Sequence, residues 1–287
     1  MVKLIASDMD GTLINDKHEI SKEDAIVIKE AQLKGIDFII TTGRLYQEAF
    51  QQVRDAGIDC QYIVMNGAEH RDENGEILYS IDIHKKQVKE ILDVLNENNL
   101  YTELYTNKGL FTVSSEKICV QAVVSKIKFF EPEKTVDEIL KTAKKHSEFT
   151  KLNFISDINR FLEDEEIKVG KILSFSDDIS LLDNMKSLLG QNNNLSVTAS
   201  FKINMEITHC DAKKDILLEK IAQAKGYSND EVMVIGDSYN DYTMIKKFKN
   251  SFAMGNAIPE IKEIATYVTE DNNSSGVGKA ILKVINK

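Results

Sequence analysis

The chain has 287 residues, 42% of them hydrophobic, enough for about two domains of roughly 100–200 residues with substantial cores. Asp and Glu outnumber Lys and Arg by 46 to 36, a formal charge of −10 with both signs interspersed, which argues against nucleic acid as a partner. The longest apolar runs, such as Phe38 to Ile40 and Val232 to Ile235, fall far short of the ~20 residues of a membrane-spanning helix. Asp8 and Asp10 stand where an export signal would carry its apolar stretch, and three cysteines form neither a disulfide framework nor a CxxC site, so a cytoplasmic protein without a membrane partner is expected.

In chain order, Lys3 to Ser7 reads as a buried strand, and a helix follows from Ser21 to a glycine cap at Gly35. A strand over Asp37 to Thr42, a helix over Tyr46 to Ala56 stopped by Gly57, and a strand over Tyr62 to Met65 come next. This alternation predicts an α/β fold: a Rossmann-like parallel sheet with helices on both faces, its functional edge made by loops Asp8 to Asn15, Thr42 to Arg44 and Asn66 to Glu69. The region 84–203 differs, being richer in Lys and helix starts. Val88, Ile91, Leu92 and Leu95 make one helical face, and Thr135 and Glu138 have capping-box spacing. Strand candidates there are Phe111 to Ser114, Leu152 to Ile155, Lys171 to Phe175 and Leu195 to Thr198. The sheet rhythm resumes with a helix over Lys213 to Lys225, capped by Gly226, and strands over Glu231 to Ile235, Ser251 to Met254 and Tyr267 to Thr269. The expected organisation is thus a core of 1–83 with 204–287, interrupted by an inserted α+β domain of 84–203. Asn192 to Asn194 and Asn272 to Ser275 read as exposed loops.

Asp8 and Asp10 end the first strand two residues apart, so both carboxylates face one side, and Gly11 lets the chain turn away. Such a pair suggests a shared cation or a raised pKa for proton transfer; an Asp-rich turn is the structural alternative. Thr42 and Gly43 offer a hydroxyl and an unobstructed backbone N–H to a phosphate oxygen. Gly236 to Asp241 adds Asp237, Asn240 and Asp241 after the later strand, where capping by Asp237 or Ser238 competes with function. Lys214 sits in the first turns of its helix, where the dipole disfavours a cation, so an anionic partner would explain it, with a merely solvated Lys as the alternative. Four acids on one edge need a counterion, and Mg²⁺ commonly bridges carboxylates to a substrate phosphate.

Asp8-Met9-Asp10-Gly11-Thr12-Leu13, Thr41-Thr42-Gly43-Arg44, Lys214 and Gly236-Asp237-Ser238-Tyr239-Asn240-Asp241 resemble the four ordered motifs of the haloacid dehalogenase superfamily phosphatases. Asn66-Gly67-Ala68 and Ala253-Met254-Gly255-Asn256-Ala257 resemble its Cof-type branch (subfamily IIB), whose cap is inserted between the second and third motifs. The third motif departs from the pattern, with Asp211, Lys213 and Asp215 around Lys214, which leaves Lys213 as the alternative phosphate ligand. The resemblance implies an Mg²⁺-dependent phosphatase in which Asp8 attacks phosphorus and Asp10 serves as acid and then base. It implies a metal held by Asp8, the Asp10 carbonyl, Asp237 and Asp241, and a phosphate held by Met9, Thr42, Gly43, Lys214 and Asn240. The inserted domain would be a lid that confers specificity on a small phosphorylated metabolite, such as a sugar phosphate.

A phosphosugar mutase of the same superfamily shares these residues, whereas a receiver-type signalling module would need an acceptor Asp where Asn66-Gly67 stands. Arg44 is left to a salt bridge or to substrate. Tyr101, Tyr105 and Phe154 read as packing, and His209 and Cys210 are expected to face opposite sides of a strand. No sustained heptad or apolar stripe argues for assembly, so a monomer is expected.

Overall fold

The computed structural model of the protein describes residues 1–285 and resolves two compact units, Met1–Ile81 with Asp211–Lys287, and Asp82–Cys210. The first unit begins with β1 (Leu4–Asp8), α1 (Lys22–Leu33), β2 (Asp37–Thr41), α2 (Tyr46–Asp55), β3 (Gln61–Val64), β4 (Glu69–Arg71) and β5 (Ile77–Ser80). The second contains α3 (Lys85–Glu97), β6 (Tyr101–Thr106), β7 (Gly109–Thr112), α4 (Glu116–Phe130), α5 (Val136–Thr142), α6 (Ser147–Thr150), β8 (Asn153–Phe154), α7 (Ile158–Glu163), β9 (Val169–Phe175), α8 (Ile179–Leu189), β10 (Leu195–Thr198) and β11 (Asn204–His209). The first unit then resumes with α9 (Lys214–Ala224), β12 (Val232–Gly236), α10 (Tyr242–Lys247), β13 (Asn250–Ala253), α11 (Pro259–Ile264), β14 (Tyr267–Val268) and α12 (Gly276–Ile285).

In the first unit one eight-stranded sheet runs β14-β13-β12-β1-β2-β3-β4-β5. All strands from β14 to β3 are parallel, and their near-continuous apolar sequences fit a sheet flanked by helices. Ile5, Ile39, Ile40, Val234 and Ile235 are at most 1% exposed, each contributing about 1.5–3 kcal/mol of transfer free energy. Strand order reverses direction between β1 and β12, so the carboxyl ends of these two strands open the crevice where α/β sheets bind ligands. The sheet is not wholly parallel: β4 and β5 add an antiparallel hairpin at one edge. The expected loop Asn66 to Glu69 is therefore a tight turn, with Asn66 at φ 58° and Gly67 at φ 104°, that leads straight into β4.

α1 begins at Ser21, whose hydroxyl accepts the Asp24 N–H at 3.0 Å, and the Asp24 carboxylate then accepts the Gly278 N–H at 2.6 Å, tying α1 to α12. Asn272 and Ser275 are buried rather than exposed, because the Asn272 side-chain amide donates to the Ile14 carbonyl at 3.0 Å and anchors the loop after β1.

The second unit holds a six-stranded sheet, β10-β11-β9-β6-β7-β8, antiparallel except at β7–β8. Val88, Ile91, Leu92 and Leu95 of α3 pack with Leu104, Ile172, Met205 and Ile207 on one face. The Thr135–Glu138 capping box forms at α5, which packs Ile139 against Val123 and Ile127 of α4. The expected boundary at 203/204 falls at 210/211, because Asn204–His209 is a strand paired with both β9 and β10. Tyr101 is packed, its hydroxyl donating to Glu103 at 2.6 Å, and Tyr105 lies under the Lys171 ammonium. Phe154 is packed on one side only, its ring 5.9 Å from that of Phe149 and the rest exposed. His209 and Cys210 also meet, Nδ1 to Sγ at 3.8 Å, since β11 ends at His209 and strand alternation no longer applies to Cys210.

Candidate active site

β1 and β2 pair with Asp8 opposite Thr41, and β1 and β12 with Ser7 opposite Ile235, so the loops after all three strands leave the sheet at one level. Asp8, the last residue of β1, is buried. Lys214, the first residue of α9, is 1% exposed, and its Nζ donates to Asp8 Oδ1 at 2.6 Å and to Asp241 Oδ1 at 2.7 Å. Lys213 is the residue flanking the helix, with extended backbone, so Lys214 is the lysine among the acids. The other Asp241 oxygen accepts the backbone N–H groups of Asp237 at 3.0 Å and Ser238 at 3.3 Å, closing the turn after β12. Asp237 Oδ1 in turn accepts the Thr12 hydroxyl at 2.8 Å.

Each of Asp8, Asp237 and Asp241 thus presents a carboxylate oxygen, all within 4.8 Å of one another. Burial first, then the Asp241 charge, pushes Asp8 well above the usual carboxylate range despite Lys214, and the same two causes raise Asp237. Burial alone would weaken the hold of Lys214 on its proton, but the Asp241 and Asp8 charges outweigh it and raise its pKa. Three ionised acids against one ammonium would be a surplus of negative charge in a desolvated pocket, which is why Asp8 and Asp237 hold their protons more tightly.

Glycines permit the close approaches. Gly11 turns at φ 75°, and a Cβ there would stand 2.6 Å from an Asp237 oxygen. A Cβ on Gly67 would stand 2.5 Å from the Lys213 carbonyl carbon, so the turn after β3 presses directly on the entry to α9.

The other expected site residues are placed less centrally. The Met9 side chain is buried in the core, so only its backbone is available to a ligand. Asp10 is exposed, and Arg44 grips it with both prongs, Nε to Oδ2 at 2.8 Å and Nη2 to Oδ1 at 2.5 Å, a salt bridge to the neighbouring loop rather than within its own. Thr42 is buried; its hydroxyl accepts the Arg44 N–H at 3.2 Å, and Gly43 beside it is half-buried. The Thr42 carbonyl accepts the Asn66 N–H at 3.0 Å, and Asn66 Oδ1 accepts Asn240 Nδ2 at 3.4 Å, joining the loop after β2 to the turn after β12. Asn66 and Asn256 are site-building residues to which the motif reading gave no role. Asn256 donates to the Gly11 carbonyl at 2.7 Å and accepts the Asn272 N–H, and its signal was the Gly255-Asn256 turn after β13.

The family model of the haloacid dehalogenase-like hydrolases matches residues 5–281. Phosphatase YwpJ of Bacillus subtilis is 30% identical over 277 residues, 96% of this chain and 97% of that protein. The B. subtilis 5-amino-6-(5-phospho-D-ribitylamino)uracil phosphatase YcsE is 31% identical over 280 residues, 98% and 94% of the two chains. Among solved structures, a haloacid dehalogenase-like hydrolase from B. subtilis superposes with a TM-score of 0.85 at 29% identity, over 99% of this chain and all of that one. No helix among the described residues is long and apolar enough to cross a membrane. With its motifs gathered at one sheet edge and its full length matched, the chain belongs to the haloacid dehalogenase-like hydrolases, as a phosphatase of the Cof-type branch.

Proposed function

We propose that the chain is an Mg²⁺-dependent phosphatase that hydrolyses small phosphorylated metabolites through an aspartyl-phosphate intermediate, working as a cytoplasmic monomer. The observation that carries this reading is the buried cluster in which Lys214 touches Asp8 and Asp241 while Asp237 completes an oxygen-rich set. That donor set fits a hard divalent cation: its ligand atoms are carboxylate oxygens, they are close together, and burial makes their mutual repulsion costly without a counterion. Asp8, Asp237 and Asp241, with the Asp10 carbonyl, would hold Mg²⁺, which when bound offsets the charge of nucleophile and phosphate.

In the first step an Asp8 carboxylate oxygen forms a bond to phosphorus as the ester P–O bond breaks. The bonding pair leaves with the alcohol oxygen, which takes a proton from Asp10. In the second step water attacks the phosphoryl group, gives its proton to Asp10 and returns Asp8 as a carboxylate with release of inorganic phosphate. Lys214, the backbone at Met9 and Gly43, the Thr42 hydroxyl and Asn240 would hold the phosphoryl oxygens, supplying the positioning and electrostatics on which phosphoryl transfer depends. The Asp82–Cys210 unit would confer specificity. The relative named for a phosphoribitylamino-uracil supports a substrate in which a phosphate is esterified to a sugar-like chain.

The test is phosphate release from p-nitrophenyl phosphate and a panel of hexose, pentose and pentitol phosphates, with Mg²⁺ or EDTA, for wild type and Asp8→Asn. Metal-dependent release lost in Asp8→Asn is expected; release that survives the substitution would remove Asp8 as nucleophile, and phosphoryl transfer between sugar positions without free phosphate would make the enzyme a mutase.

A further inference from the structure

Both oxygens of the Asp10 carboxylate are held by one guanidinium, so the direction in which Asp10 presents a proton depends on what orients Arg44. A forked pair fixes Asp10 relative to Arg44, but the planar guanidinium itself is fixed only if its remaining edge is also bound. That edge is bound: Arg44 Nη1 donates to Gln52 Oε1 at 2.7 Å. Gln52 lies in the last turn of α2, half-buried, and its own amide nitrogen donates to the His18 carbonyl at 3.1 Å. His18 belongs to the loop that follows Asp10 and holds a left-handed backbone at φ 60°. The result is a closed circuit from the Asp10 loop through Arg44 and Gln52 back to the same loop. Among these contacts only Gln52 joins α2 to both sides of the circuit.

We infer that Gln52 is a positioning residue for the proton-transfer step, acting through Arg44 on Asp10 and touching neither substrate nor the reacting atoms. This rests on the phosphatase reading and on the role assigned there to Asp10. Gln52 carries an acceptor for Arg44 and a donor for His18, and a side chain of the same length can keep one without the other. Gln52→Glu retains the acceptor for Arg44 and loses the donor; Gln52→Leu loses both. Orientation of a group that gives a proton matters most when the leaving group is a poor one, and little when it departs readily as an anion.

The experiment compares kcat and KM of wild type, Gln52→Leu, Gln52→Glu and Arg44→Lys on p-nitrophenyl phosphate, whose leaving group departs readily, and on the most active sugar phosphate of the panel. In Gln52→Leu, kcat on the sugar phosphate is expected to fall about tenfold at unchanged KM, a part of the full 10²–10⁴ of acid–base catalysis, with p-nitrophenyl phosphate falling no more than about threefold. Gln52→Glu is expected to return the sugar phosphate rate to within about threefold of wild type. Arg44→Lys keeps the charge without the fork, should show the same dependence on leaving group, and serves if Gln52→Leu does not fold. Equal losses on both substrates, no loss on either, or a Glu variant as slow as the Leu variant would each overturn the inference. Failure of the underlying reading looks different: wild type itself releases no phosphate, or activity survives Asp8→Asn.

Discussion

Lys214 reaches Asp8 at 2.6 Å across 206 positions of sequence, and with the same ammonium reaches Asp241 at 2.7 Å. One cation therefore carries two buried carboxylates. Replacing it by Met leaves both uncompensated, and breaking a buried pair from one side typically costs about 3–5 kcal/mol. Lys214→Met should lower the unfolding free energy of the metal-free protein, read from urea titration, by that amount and abolish phosphate release; an unchanged unfolding free energy would show that the acids do not depend on Lys214.

Thr12 holds Asp237 through its hydroxyl at 2.8 Å. If Asp237 is a metal ligand, Thr12→Val removes the bond that orients it, and loss of such a supporting partner costs about 10–100-fold in metal affinity. Calorimetric titration with Mg²⁺ should show weaker binding by at least about tenfold, with the melting temperature of the metal-free protein little changed.

Gly67 combines φ 104° with a Cβ position 2.5 Å from the Lys213 backbone. Gly67→Ala meets both the conformational penalty and a clash that no side-chain rotation relieves, so a loss of about 1–3 kcal/mol is expected, together with reduced kcat as α9 and Lys214 are displaced. Thermal melts and initial rates on the same preparation check the pair of effects.

His70 is buried in β4, its Nε2 at 3.0 Å from Gln61 Oε1, and burial together with the Lys225 charge lowers its pKa to about 4. The unfolded chain takes up this proton near pH 6.5, the folded chain only near 4, so the contribution to stability is complete above about 6.5 and lost as pH falls towards 4. Urea midpoints measured between pH 7 and pH 4 should fall more steeply for wild type than for His70→Gln; parallel curves would show that His70 does not contribute.

The parallel half of the sheet and the acids at its edge were legible because apolar runs, glycine stops and strand-end carboxylates are local signals. Lys214 was legible in part, since a cation in the first turns of a helix is explained by an anionic partner, although a solvated Lys fitted the sequence as well. The β4–β5 hairpin was not, although Asn74-Gly75 marks its turn, because Glu69, His70 and Arg71 carry none of the apolar character of a strand. Arg71 is satisfied there by Glu69 at 2.5 Å and by the Gly75 carbonyl, contacts that only the folded hairpin supplies. β11 was not legible either: Met205 and Ile207 face one side and Glu206 and Thr208 the other, but the strand runs almost directly into the Lys213–Lys214 segment, and its place beside β9 and β10 shows only in the pairing. The Arg44–Asp10 fork and the Asn256–Gly11 bond lie between loops far apart in sequence, where no periodicity exists to announce them.

The pairing of β1 with β12 makes the centre of the sheet depend on contacts of long sequence separation. Leu4 to Ser7 cannot align beside Val232 to Ile235 until the whole intervening chain has been gathered into a loop. Closing that loop becomes more costly only logarithmically with its length, so carrying Asp82–Cys210 within it adds little beyond what the α/β unit alone would require. Contacts of such long sequence separation repay their loop-closure entropy only once formed, and this pairing is what brings the carboxylates of Asp8 and Asp237 to one place. The repulsion within the finished pocket is thus a cost tied to this one strand pairing, and the Lys214 ammonium offsets part of it.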